Sequence, residues 1–116
     1  MKSRVLSTGA YVPPKVVTNF DLEKIMETSD DWIQQRSGIK ERRWVEPGQQ
    51  TTLSMAVTAA KQALERAKLQ PDDIDMIIFG CLVADYIFPG TGCLLQRELG
   101  CKKNIPALDI RNQCSG

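Results

Sequence analysis

The chain has 116 residues, 42% hydrophobic and 25% charged, with a formal net charge of +1. That length and apolar content fit one ordinary globular domain rather than a disordered chain, and the balanced charge offers no bulk attraction for nucleic acid or an anionic membrane. There is no histidine, which excludes a self-contained Ser-His-Asp triad, a Cys-His dyad and any zinc site built on imidazole.

Residues 3–12 read as an extended segment stopped by Pro13-Pro14. Thr18-Asn19 then offer a cap for a helix over Phe20–Met26. Thr28 or Ser29 caps a second helix, with Asp30 and Asp31 in its first turn and Arg36 near its end, as the helix dipole favours. Gly38 ends it, and Ile39–Val45 reads as a short strand. Thr51-Thr52 caps a long helix to Lys68, whose apolar positions Leu53, Ala56, Val57, Ala60, Leu64 and Ala67 fall on one face. The alanines there predict close packing against another helix or a sheet. Pro71-Asp72-Asp73 is a break, and Ile74–Val83 reads as a strand buried on both faces. Gly92–Leu99 is helical, Gly100 ends it, and Pro106–Ile110 is a second short buried strand. The alternation predicts an α/β fold with at least a partly parallel sheet.

The longest nearly unbroken apolar run, Met76–Ala84, is far short of the ~20 residues a membrane helix needs. Met1-Lys2-Ser3-Arg4 leads into no signal-peptide stretch. A cytoplasmic protein without membrane contact is the expectation. The cysteines stand at 81, 93, 101 and 114, no two at CxxC spacing, so no metal site is expected. Buried or half-buried free thiols are the plain reading for at least three of them.

Cys114 differs in its setting. A short strand, Pro106–Ile110, runs into the polar Arg111-Asn112-Gln113, then Cys114 and the small Ser115-Gly116. Strand–turn–helix junctions of α/β proteins present nucleophiles, because a helix N-terminus lowers a thiol pKa and supplies N–H groups for an oxyanion. The residues alone leave both a catalytic and a structural thiol open. Trp32 and Arg36, one helical turn apart, are likewise either a binding pair or a core aromatic beside a solvated charge. Arg36, Lys40, Arg42 and Arg43, interleaved with Trp32 and Trp44, also suggest a nucleic-acid patch. Asp30, Asp31, Glu41 and Glu46 dilute it, so no nucleic-acid partner is expected.

The run Thr28-Ser29-Asp30-Asp31-Trp32-Ile33-Gln34-Gln35-Arg36-Ser37-Gly38-Ile39-Lys40-Glu41-Arg42 resembles the signature near the start of β-ketoacyl-acyl-carrier-protein synthase III. Ser7-Thr8-Gly9-Ala10-Tyr11-Val12-Pro13, Phe88-Pro89 and the closing Asp109…Cys114-Ser115-Gly116 fall in the same order at similar separations. The resemblance covers essentially the whole chain. It implies a thiolase-like fold, layered αβαβα with a partly parallel sheet, in a homodimer. Residues 1–116 would be the N-terminal portion of the first thiolase-like half, ending just after the nucleophile. The family's catalytic His and Asn would lie in the second half, absent from this chain, which accounts for the missing histidine. The chain alone is then expected to be inactive.

The activity implied is an acyltransferase reaction of the fatty-acid initiation type, a decarboxylative Claisen condensation. Cys114, as thiolate, takes the acyl group of an acyl-CoA. Malonyl-acyl carrier protein then loses CO₂, and its enolate attacks the acyl-enzyme. CoA thioesters are substrates, and no cofactor is implied. By the same resemblance Trp32 stacks on the CoA adenine, Thr28 lies beside it, and Arg36 reaches phosphate. Phe88 would cross the dimer interface to line the partner's acyl pocket, with plain core packing as its other reading. Two stretches depart from the family pattern: the polar Arg111-Asn112-Gln113, and the bulky, charged Val83-Ala84-Asp85-Tyr86-Ile87. They keep open a related condensing or acyl-transfer enzyme of specialised metabolism. A truncated, non-catalytic binding or assembly fragment is the alternative of another class.

Overall fold

The computed structural model describes residues 2–112, which divide into two compact units, Val12–Gln50 and, as the other, residues 2–11 with residues 51–112.

In the Val12–Gln50 unit, strand β1 (Lys15–Thr18) precedes helices α1 (Asn19–Glu23) and α2 (Asp30–Ser37), and strand β2 (Glu41–Trp44) closes it. β1 and β2 pair antiparallel, Lys15 opposite Trp44 and Thr18 opposite Glu41. The sequence reading places no strand between Pro13-Pro14 and the Thr18 cap. Four residues are too few for a period-2 pattern, and the strand exists because β2 pairs with it from across the two helices. Thr18 does cap α1, in a reciprocal box: Asp21 N donates to Thr18 Oγ1 at 3.2 Å and Thr18 N to Asp21 Oδ2 at 3.0 Å. The helix stops at Glu23, short of the expected Met26, where the Lys24 amide turns back to Leu22 O and the Ile25 amide bonds the same oxygen three residues back. Ser29 Oγ accepts from Trp32 N at 3.2 Å to start α2, and Gly38, at φ 71°, ends it in the left-handed region.

The second unit contains helix α3 (Thr52–Ala67), a 3₁₀ turn (Pro71–Asp73), strand β3 (Ile77–Gly80), helix α4 (Thr91–Leu99) and strand β4 (Ala107–Ile110). β3 and β4 are parallel, Ile77 opposite Ala107 and Gly80 opposite Ile110, with α4 as the crossover. The partly parallel α/β prediction therefore holds. Thr51 and Ser54 form a capping box at the start of α3, and Lys68 ends it at φ 58°. The core is small: Ile77, Leu95 and Cys101, packed by Leu53, Ala56, Val57 and Ala60 of α3 among others. The alanines thus do let α3 approach.

Residues 3–12, read as an extended segment, join no sheet among the described residues. Their polar groups bond to α3: Ser7 Oγ donates to Ala63 O at 2.7 Å, Ala10 N to Gln62 Oε1 at 3.0 Å, and Arg66 to Thr8 O at 2.9 Å. The strand read over Ile74–Val83 shortens to β3 and is not buried on both faces. Ile78 remains 61% exposed, since α3 and α4 pack on the Ile77 side of a sheet with two strands among the described residues. β4 is likewise half-covered, with Leu108 and Ile110 exposed. Among the cysteines Cys101 is buried, Cys81 is half-buried and Cys93 is exposed, so Cys93 departs from the plain reading. Burial, with Asp72 adding to it, pushes the Cys101 thiol pKa up, which disfavours the thiolate.

Candidate functional site

Helix α2 has no buried residue, although its sequence carries Trp32 and Ile33. Trp32 is 57% exposed and so is not packed in a core among the described residues. Its indole forms one wall of an open recess of about 280 Å³ shared with Glu27, Thr28 and Ser29. Arg36, one turn further on, holds its guanidinium carbon 5.8 Å from the centre of the Trp32 ring. Thr28, Trp32 and Arg36 are therefore brought together, Thr28 lining the same recess as the exposed indole and the Arg36 guanidinium lying over its ring. A planar heteroaromatic ring can stack on the face of an exposed indole, and a guanidinium beside it can hold an anion attached to that ring.

The sequence reading missed the residue that anchors this helix. Asn19 is fully buried, and its side-chain amide donates to Asp30 Oδ1 and to Ile39 O, each at 2.8 Å. Its Oδ1 accepts from Arg42 at 2.7 Å. In the sequence Asn19 shows only as half of a cap pair, because its partners lie 11 to 23 positions away. Of Arg42 and Arg43, read as part of a basic patch, Arg42 bonds inward to Asn19 Oδ1 and Val17 O, while Arg43 bonds Pro14 O at the surface.

The other unit carries Phe88, which is 87% exposed and so is not packed in a core among the described residues. Its neighbours Leu82, Val83, Tyr86 and Ile87 are exposed as well. The Phe88–Pro89 peptide is cis. Tyr86 and Pro89, with Leu53, Leu94 and Arg97, line a second open recess of about 300 Å³. The charge in this stretch is structurally committed. Asp85 Oδ1 accepts from Thr52 N at 2.8 Å and Oδ2 from Leu53 N at 2.7 Å, closing the N-terminus of α3.

Asp109, on β4, does the same for α4, accepting from Thr91 N at 2.7 Å and Gly92 N at 2.6 Å. A Cβ on Gly90 or Gly92 would stand 2.7 or 2.8 Å from its carboxylate oxygens, so glycine at both places admits this cap. Asp109 thus ties the segment after Phe88-Pro89 to the strand that precedes Arg111. Cys114 lies outside the described residues. Among the described residues no cluster of His, Cys, Asp and Glu is arranged to hold a metal, and no helix is long and apolar enough to cross a membrane.

No protein-family model matches the chain. Individual relatives do. Beta-ketoacyl-[acyl-carrier-protein] synthase III of Caldanaerobacter subterraneus subsp. tengcongensis is 51% identical over 112 residues, 97% of this chain and 33% of that protein. The crystal structure of 3-oxoacyl-[acyl-carrier-protein] synthase III from Aquifex aeolicus VF5 matches with a TM-score of 0.86 at 48% identity, over 92% of this chain and 34% of that one. The priming β-ketosynthase of the R1128 polyketide biosynthetic pathway matches with a TM-score of 0.85 at 32% identity, over 92% and 31%. The chain spans about a third of the length of the relatives it matches. Over that third, in sequence and in its thiolase-like backbone, it belongs to the β-ketoacyl-acyl-carrier-protein synthase III family of condensing enzymes.

Proposed function

We propose that these residues are the N-terminal third of an acyltransferase that condenses an acyl-CoA starter with malonyl-acyl carrier protein through an acyl-enzyme on Cys114. The observation that carries this reading is the exposed Trp32 face with Arg36 beside it and Thr28 on the same recess. CoA is a purine nucleotide with several phosphates on a long flexible arm, and this platform suits its base and one phosphate. The thiolate of Cys114 attacks the thioester carbonyl, N–H groups of the chain stabilise the oxyanion, and CoA leaves as thiol. Decarboxylation of the malonyl thioester gives an enolate, which attacks the acyl-enzyme carbonyl and releases the Cys114 thiolate with a β-ketoacyl product. The His and Asn that stabilise the enolate belong to the second half of such enzymes. A homodimer with Phe88 at its interface, acting in the cytoplasm as a step of fatty-acid synthesis, completes the reading. The exposed apolar run around Phe88 supports that interface.

The bulky stretch before Phe88 does not argue against an apolar acyl chain, since the Asp85 carboxylate is held by α3. A second reading, acyl transfer in specialised metabolism, draws on the polar Arg111-Asn112-Gln113 and on the likeness to a polyketide priming enzyme. The test is turnover by the whole protein in which these residues occur, given short acyl-CoAs and malonyl-acyl carrier protein. Release of CoA and CO₂ with a β-ketoacyl-carrier product is expected, with KM for acyl-CoA raised at least about tenfold in Trp32→Ala. CoA release without decarboxylation, to another acceptor, would favour the second reading. An unchanged KM in Trp32→Ala would remove the nucleotide from this platform.

A further inference from the structure

We propose that Asn19 is a positioning residue for the nucleotide end of the substrate: its buried amide fixes both ends of α2 and thereby aims Trp32 and Arg36. The proposal rests on the CoA reading above. α2 is eight residues long, has no fully buried side chain, and Ile33 is its one half-buried apolar residue, so apolar packing contributes little to holding it. Its anchors are polar. Asp30, its first residue, receives one hydrogen of the Asn19 amide at 2.8 Å, and Ile39 O, just past the Gly38 cap, receives the other at 2.8 Å. Everything between these two anchors is the helix that carries Trp32 and Arg36.

The clamp is tightened from both sides. Arg42 of β2 donates to Asn19 Oδ1 at 2.7 Å, and the Asn19 backbone N–H donates to Lys40 O at 3.3 Å. The remaining Asp30 oxygen accepts from Gln34 at 2.6 Å, and Asp30 N donates to Glu23 Oε1 at 2.7 Å. The centre needs two donors and one acceptor on one short planar group, which an amide supplies. A carboxylate there would have no hydrogen for Ile39 O and would face the Asp30 carboxylate. An apolar side chain would strand Asp30, Ile39 O and Arg42 together. A displacement of about 1 Å at Trp32 is enough to weaken a stacked contact, and tight supporting hydrogen bonds are what prevent it.

The test uses the whole protein and two acyl donors, acyl-CoA and the corresponding acyl-pantetheine, which lacks the nucleotide. Asn19→Asp is expected to raise KM for acyl-CoA about tenfold with kcat nearly unchanged, and to leave KM for acyl-pantetheine where it was. Asn19→Asp combined with Asp30→Asn restores a donor–acceptor pair in the opposite direction and is expected to recover part of the loss. Asp30→Ala breaks the same clamp from its half-exposed end, is expected to raise KM for acyl-CoA as Asn19→Asp does, and carries the test if Asn19→Asp does not fold. Equal losses with both donors, or a fall in melting temperature with no change in KM, would overturn the proposal. Trp32→Ala separates the two levels. If it leaves KM for acyl-CoA unchanged, the CoA reading fails. If it raises KM while Asn19→Asp and Asp30→Ala do not, the positioning role alone fails.

Discussion

Asp85 holds the first two amides of α3, one on each oxygen, at 2.8 and 2.7 Å. Burial pushes its carboxyl pKa up, but the hydrogen bonds from Leu53, Thr52 and Thr51 outweigh burial and leave it below the ordinary value. A carboxyl depressed in the folded state contributes stability above its unfolded pKa of about 3.9 and loses it as pH falls through the lower folded value. Asp85→Ala is therefore expected to cost about 1–2 kcal/mol near neutral pH, and the difference from the parent to shrink below about pH 4. Denaturant melts at several pH values check this. A difference that does not change with pH would mean that the charge of Asp85 is not what holds α3. In the sequence Asp85 shows only as the charge in a stretch that departs from the family pattern. Its cap lies 33 positions away at Thr52, and no local motif joins the two.

At the scale of elements, the legible parts are those whose reasons are local. The caps at Thr18, Ser29 and Thr51 and the stop at Gly38 all stand where short-range chemistry puts them. The α3 stripe follows from periodicity, and the parallel β3–β4 pair from the alternation of strand and helix. The misread parts depend on distant partners: β1 on β2, the open face of β3 on cover from elsewhere, the N-terminal segment on α3. Of the candidate site, Thr28, Trp32 and Arg36 were legible through a turn of helix and a family signature, whereas Asn19, Asp85 and Asp109 act only once the chain folds back.

Gly9 shows the same dependence. A Cβ there would overlap Ala59 O and stand 2.8 Å from Ala63 N, and both are helix backbone that does not yield. Gly9→Ala is expected to lift residues 7–10 off α3 and to cost about 1–3 kcal/mol. Loss of amide-exchange protection at Ala10 would accompany the lower melting temperature. Unchanged protection would mean that the segment does not need this close approach.

At the scale of the whole chain, the apolar content and the burial do not match. Hydrophobic residues make up 42% of the sequence, yet among the described residues the buried hydrophobic side chains are Val17, Ile77, Leu94, Leu95 and Cys101. Ile78, Met76, Leu108 and the run Leu82–Phe88 present apolar surface instead. Large exposed apolar areas and open strand edges favour association. The 116 residues expressed alone are expected to bind a hydrophobic dye and to sediment as more than a monomer. A monodisperse, cooperatively melting monomer would contradict that, and would favour a self-sufficient binding or assembly fragment over a piece of a condensing enzyme.

Acyl transfer to Cys114 is the central claim, and intact-mass analysis under denaturing conditions tests it most directly. The whole protein would be incubated with a panel of short acyl-CoAs in the absence of malonyl-acyl carrier protein, then digested to place the adduct. The account expects one acyl group per chain, on the peptide containing Cys114, removed by malonyl-acyl carrier protein and absent in Cys114→Ala. An acyl group on another residue, or one that persists in Cys114→Ala, would contradict it.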